Sequence, residues 1–482
     1  MRDARKLASL ALLAATQFLL AVDGSIVNVA LPSIGRDLRV APEELSWVVN
    51  AYLLAFGGFL LLGGRVADHL GRRRMYMAGL GLFTAASLAG ALAPSGPWLT
   101  VARGAQGLGA ALVAPAALAL VLTLFGEGAE RNQALGVWAA LGGSGGAAGA
   151  VLGGLLTDGF GWEAVLLVNL PIGVAAVALA PRLLPAAPAE PGMRRFDLAG
   201  AVSVTAGLAL LVYALVGADD AGWWSARTLL LGAAAALLLA AFTGIEARSR
   251  HPLVPLRVFR NRPLRGAYLV IVLTTGALFP MFVFVTLYTQ DVLGYRPVQA
   301  GLAQLPLVAT IAVSATLAPR LLPRVGARAT LVAGLLVVAG GLAWLAAIPP
   351  GGSFLGDLLG PSLVVGAGAG VTWVASMVAA TSGAAPAEAG LASGLVTTAQ
   401  QVGGALGIAA LVAVATARTT SVLGSGEAGP LVALTEGFQA GLLGAALVAV
   451  AGAALAALLL SSADSRAHAV AARESRQAQA HA

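Results

Sequence analysis

Residues Leu7 to Leu31 read LASLALLAATQFLLAVDGSIVNVAL, an apolar run long enough to cross the hydrocarbon core of a bilayer as a helix, which takes about 20 residues. The run is too long for the core of a secretory signal, and it carries Asp23, so it reads as a first membrane span. Composition agrees: 58% of the 482 residues are hydrophobic and only 11% are charged. A soluble fold would leave much of that apolar surface in water. Breaking the remaining sequence at charged, Pro-rich and Gly-rich interruptions extends the pattern to fourteen spans. They lie near 7–31, 46–66, 75–93, 97–122, 133–156, 163–182, 198–217, 228–247, 265–288, 299–320, 327–348, 357–380, 391–416 and 437–460.

The formal charge of +7 would point to nucleic acid in a soluble protein. Here the basic residues fall between apolar runs and act as topology signals, so no nucleic-acid partner is expected. If the N-terminus is cytoplasmic, the cytoplasmic segments hold 22 of the 29 Lys and Arg and the outer segments 5, while Arg65 and Arg103 sit within spans. That asymmetry places both termini inside and requires an even number of spans. The longest connections, around Pro181 to Asp197 and Arg248 to Arg265, bracket spans 7 and 8. The expected organisation is a six-helix bundle over 1–182, an inserted pair with its linkers over 183–264, a second six-helix bundle over 265–460 and a cytoplasmic tail over 461–482. Two such bundles around a midplane site are an architecture of secondary transporters.

Cysteine is absent, which excludes disulfides, thiolate metal sites and cysteine nucleophiles. No Ser/His/Asp set, metal-ligand cluster or phosphate-binding loop stands out, so neither a cofactor nor a metal nor enzymatic activity is expected. Near-absence of lysine, with Ala, Gly, Arg and Pro abundant, fits a GC-rich bacterial coding sequence.

An ionisable residue inside a span is costly and draws a functional hypothesis. Asp23 is the acid that lies well inside one. Glu163, Glu246, Asp357 and Glu436 fall at span ends, where contact with water is the simpler reading. Counted along the helical rise, Asp23 lies about 12 Å and Arg103 about 9 Å from the outer surface, so the two can pair if their spans are neighbours. Such a pair can be a structural salt bridge or a proton-coupling carboxyl opposed by Arg103, and the two readings are compatible. Between spans 2 and 3, Gly64, Asp68, Gly71 and Arg72 mark a tight turn rich in arginine. In span 5, Gly145, Gly149 and Gly153, with Gly154 beside them, repeat every four residues and present bare backbone for close packing or bending. Asn28, Gln106, Trp138, Tyr288 and Trp373 are polar or aromatic members of apolar spans, candidates for a substrate cavity and equally for core packing.

With those residues in view, the chain resembles the major facilitator superfamily, in particular its fourteen-span drug:proton antiporters. Asp23-Gly-Ser-Ile-Val-Asn28-Val-Ala-Leu-Pro32 looks like the first-span motif, Gly64 to Arg74 like the cytoplasmic gate motif with His69 at a usually basic position, and Arg103-Gly-Ala-Gln106-Gly107-Leu-Gly109 like the span-4 motif. Gly149-Ala150-Val-Leu-Gly153-Gly154 resembles the antiporter motif with Ala150 in place of proline, and Trp162 to Gly173 the entry to span 6 with Glu163 in place of arginine. The resemblance implies two six-helix bundles and proton-coupled export of drug-like or antibiotic small molecules across a bacterial inner membrane, with Asp23 and Arg103 in coupling. Span 10 carries no acid, which favours lipophilic monocations or neutral, polyketide-like substrates over dications. Proton-coupled uptake of a small solute is the alternative within transport. A membrane enzyme and a non-transporting sensor are more distant ones.

Overall fold

The computed structural model describes residues 2–125, 129–185, 197–249, 252, 262–381, 389–426 and 429–460. Much of the expected linkers and all of the tail after residue 460 lie outside them. The described chain is all-helical: α1 Arg2–Leu38, α2 Pro42–Leu70, α3 Arg72–Ala91, α4 Gly96–Leu124, α5 Ala129–Phe160, α6 Ala164–Leu167, α7 Asn169–Leu183, α8 Leu198–Val216, α9 Ala218–Ala221 and α10 Ala226–Arg248. After the second linker come α11 Arg262–Leu287, α12 Pro297–Ala303, α13 Leu305–Leu345, α14 Leu359–Thr381, α15 Ala389–Ser425 and α16 Pro430–Leu459. Single π-turns at Tyr288–Val292 and Phe354–Leu358 adjoin α11 and α14.

In a bilayer each backbone amide must be satisfied within its own helix or by a neighbour, which favours long uninterrupted helices and tolerates occasional prolines. Pro32, Pro115 and Pro280 accordingly sit inside α1, α4 and α11. Side-chain caps close some exposed ends: Asp197 accepts from the Gly200 amide and Ser225 from the Thr228 amide, satisfying donors that the first helical turn leaves free. Several reversals use glycine at positive φ, among them the following two. Gly71, at φ 98°, joins α2 to α3; Gly326, at φ 82° and ψ 159°, interrupts α13. A straight helix of the 41 residues in α13 would run about 62 Å, twice the hydrocarbon thickness, so the break at Gly326 divides it into two membrane-sized pieces.

Among the described residues ten helices are long and apolar enough to cross a membrane, and three shorter apolar ones cover Glu44–Leu60, Ala148–Phe160 and Ala199–Leu215. Leu229, Leu230 and Leu237 on α10 are exposed, as are Leu443, Leu447 and Leu458 on α16. Surfaces this apolar on helices this long are matched by lipid, and the chain is a multi-pass membrane protein.

Helices α1–α7 pack among themselves, chiefly α1 on α5 and α2 and α3 on α4; α11–α16 do the same through α11 on α15 and α16 and α13 on α14. The groups meet where α2 packs on α15 and α5 on α12. At the end away from the Gly71 turn they are also bridged by polar contacts. Arg296 pairs with Asp158, Arg36 lies 3.8 Å from Asp291, and Gln290 Nε2 donates to the Val29 carbonyl at 2.8 Å. The α8–α10 pair stands at the side, with α8 touching both α2 and α15.

One expectation is corrected. Glu246 is 3% exposed rather than wetted, because the end of α10 lies over the first turn of α8. A side chain at Gly200 would begin 2.7 Å from its Oε1. Two of the other span-end acids are engaged locally: Asp357 accepts from the Ser353 amide at 2.7 Å, and Glu436 pairs with Arg418 at 2.6 Å.

Candidate functional site

Inside the first group, α1 and α4 set Asp23 and Arg103 face to face, with Arg103 Nη1 2.7 Å from Asp23 Oδ2. Asp23 is fully buried and Arg103 is 1% exposed. A buried charge survives only if paired and hydrogen-bonded, and the surroundings meet that demand. Gln106 Nε2 and Asn169 Nδ2 both donate to Asp23 Oδ1, at 2.8 and 2.7 Å. Arg103 also donates through Nε to the Val48 carbonyl at 3.1 Å and through Nη1 to Gln106 Oε1 at 2.7 Å. Ser87 Oγ accepts from Gln106 and Asn169. The Tyr52 ring lies beneath the guanidinium, 4.3 Å from its centre, a cation–π contact that further compensates for lost water. Residues from α1, α2, α3, α4 and α7 thus converge on one carboxylate.

The glycines of α5 supply the adjoining wall. Gly145, Gly149 and Gly153 lie directly on the backbone of α1 between Ala21 and Val29, flanking Asp23. Ser25 Oγ donates to the Gly145 carbonyl at 3.3 Å. Gly154 turns the other way and meets Pro297 and Val298 on α12, so α5 is held between the two groups.

The turn after α2 forms a separate cluster at the membrane edge. Arg72 Nη1 donates to Thr123 Oγ1 at the end of α4, 2.7 Å away, and Arg73 reaches the Pro181 and Leu184 carbonyls at the end of α7. Gly64 faces Pro115 across to α4. The side chain of Asp68 lies outside the described part.

Of the candidate cavity residues, Gln106 belongs to the Asp23 cluster. Asn28 is half-buried on α1, and its Oδ1 has no partner in the protein. Trp138 is half-buried on α5. Tyr288 is fully buried, its hydroxyl donating to the Pro349 carbonyl at 2.6 Å, away from the Asp23 cluster. Trp373 is 39% exposed beside a recess between α11, α14 and α15. Asn169, Ser87 and Tyr52 were not singled out as site residues from sequence. Asn169 carried a usable signal, a lone amide inside an apolar span.

Long apolar helices in two groups, with a buried ion pair inside the first of them, define a membrane transport protein of the secondary type. The family model for the Major Facilitator Superfamily matches residues 13–408, and the chain belongs to that superfamily. It is 42% identical over 466 residues to the puromycin resistance protein pur8 of Streptomyces alboniger, covering 95% of this chain and 92% of that one. It is 40% identical over 454 residues to the cephamycin export protein CmcT of Amycolatopsis lactamdurans, covering 94% and 92%. Among solved structures, the peptide-transporter-family protein PepTSo superposes with a TM-score of 0.69 at 16% identity, covering 95% of this chain and 97% of that one, a likeness of fold.

Proposed function

We propose that the protein exports drug-like or antibiotic small molecules in exchange for protons, by alternating access across a bacterial inner membrane. The observation that carries this reading is the Asp23–Arg103 pair, buried among neutral donors and backed by the α5 glycines. A proton delivered to Asp23 cancels its charge and releases Arg103 to re-pair, so protonation and helix arrangement are linked. The glycine faces of α5 give that rearrangement a sliding surface. The names of the relatives support small-molecule antibiotics as the cargo.

In this reading the chain crosses the membrane fourteen times with both termini in the cytoplasm. The ten long apolar helices, the three shorter ones and α3 support that count, and the arginine asymmetry supports the orientation. Residues 1–182 and 265–460 act as the two moving halves, with 183–264 as an inserted pair. The bridges Arg296–Asp158, Arg36–Asp291 and Gln290–Val29 then close the outer side, and substrate enters from the cytoplasm. Gly64, Asp68, Gly71 and Arg72 act at the cytoplasmic gate.

The test uses inverted membrane vesicles carrying wild type or Asp23→Asn, an imposed proton gradient, and a panel that includes puromycin. Discharge of the gradient by a compound with wild type alone supports exchange. Equal discharge by the variant overturns the role of Asp23, and flux in the opposite direction overturns export.

A further inference from the structure

Every residue of the Asp23 cluster comes from α1–α4 and α7. The second group holds a recess of different character, formed where α11, α14 and α15 meet. Thr274, Thr275, Trp373, Ser376, Val396 and Gln400 line it, and no ionisable side chain is among its lining residues. Its free volume is about 10 Å³, room for one water-sized group and no more.

The polar groups around it are not equivalent. Thr274 and Thr275 spend their hydroxyl protons on the Val270 and Ile271 carbonyls of their own helix, at 2.8 and 3.0 Å. Ser376 is 5% exposed, and its Oγ has no hydrogen-bond partner in the protein. A serine in a helix ordinarily returns its proton to a carbonyl one turn back, as Thr274 does. A buried hydroxyl without a partner calls for an explanation; Thr372 is also unpartnered but faces Gly334, so Ser376 is the unpartnered hydroxyl that lines the recess. Beside it Trp373 presents a partly exposed indole, a flat apolar surface.

We infer that this recess is a substrate subsite that anchors one uncharged polar substituent, a hydroxyl, carbonyl or amide oxygen, of a flat and largely apolar compound. Ser376 supplies the hydrogen bond, and Trp373 carries the adjoining ring surface. The inference rests on the exporter reading and narrows it. The half that holds the proton-linked carboxylate is not the half that recognises this substituent. A lipophilic cation without hydrogen-bonding groups gains nothing from Ser376.

Purified wild type, Ser376→Ala and Thr372→Val are titrated with puromycin, an aromatic nucleoside bearing hydroxyl and amide groups, and with tetraphenylphosphonium, a cation without either. Thr372 is the control, since it lies on the same helix but faces Gly334 on α13. Ser376→Ala is expected to raise the Kd for puromycin about two- to tenfold, the weight of one neutral hydrogen bond. The Kd for tetraphenylphosphonium and the unfolding midpoint stay unchanged, because the lost hydroxyl had no partner in the protein. Thr372→Val leaves both affinities as they were. An unchanged puromycin Kd in Ser376→Ala, or an equal shift for both ligands, overturns the subsite while leaving export standing. Wild type that binds tetraphenylphosphonium but not puromycin does the same. Wild type that binds neither and discharges no gradient overturns the exporter reading, and the subsite with it.

Discussion

Replacing Asp23 by Asn leaves the shape of the side chain nearly intact and strands Arg103 as a buried cation. With a 2.7 Å contact between Nη1 and Oδ2 and an effective dielectric constant of about 20, the lost attraction is about 6 kcal/mol. Part of this is offset, because the neutral side chain no longer has to be stripped of water. Breaking a buried pair from one side typically costs about 3–5 kcal/mol, and that is the loss expected for Asp23→Asn. Its amide group would also turn a second donor toward Arg103 or toward Gln106 and Asn169, which already donate to this position. Asp23→Asn/Arg103→Gln removes both charges and forfeits the contact with Tyr52, worth about 2 kcal/mol or less, together with the guanidinium's hydrogen bonds to the Val48 carbonyl and Gln106, but leaves no buried charge unpaired. The double variant should therefore be more stable than the single one, with a coupling energy of about 2–3 kcal/mol in the cycle completed by Arg103→Gln. Unfolding in mixed micelles measures stability, and the vesicle assay measures proton-linked flux, which both variants should lose. A double variant no more stable than Asp23→Asn would refute the electrostatic account of the cluster, whatever happens to flux.

Gly149→Val drives a side chain into Ser25 and the Val22 carbonyl of α1 and should cost about 1–3 kcal/mol by overpacking. Gly146→Ala, with nothing within 4 Å of the added carbon, should be neutral or gain up to about 1 kcal/mol from helix propensity; comparison of their unfolding midpoints checks both. Gly326→Ala must hold φ at 82° and ψ at 159°, a region nearly confined to glycine, which costs about 1–3 kcal/mol and should lower the unfolding midpoint without changing substrate affinity. Removing the exposed Arg296–Asp158 bridge with Arg296→Gln should weaken closure of that end by about 0.2–1 kcal/mol. In a single-cysteine Ala300→Cys background, labelling by an impermeant maleimide from outside should then quicken up to about fivefold, and an unchanged rate would remove the bridge from any gating role.

The helices were legible because hydropathy and charge vary on the scale of a bilayer crossing. The segments read near 299–320 and 327–348 fall on either side of Gly326, where arginines at 320, 324 and 328 interrupt the apolar pattern. The Asp23–Arg103 contact was accessible through depth alone, since charges at similar height on neighbouring helices gain from meeting. Asn169 and Ser87 were harder to see because a neutral polar residue in a long apolar run usually bonds to its own helix. Only the packing of α7 against α1, and of α3 against α4 and α7, turns those two toward the carboxylate. Glu246 misled because its burial depends on Gly200, distant in sequence and contributing only the absence of a side chain.

The pair α8 and α10 touches the rest of the protein unevenly. α8 leans on α2 through Thr205 against Gly58 and through Tyr213 beside Trp47, and it also packs on α15, whereas only 6% of the central stretch of α10 is buried. A joint whose cover is mostly acyl chain does part of its mechanical work on the lipid. Any displacement of α2 against α15 must then reshape the surrounding bilayer, at a cost that depends on its thickness and order. Turnover becomes a property of protein and membrane together, and lipid chain length enters the rate as a variable alongside cargo and proton gradient.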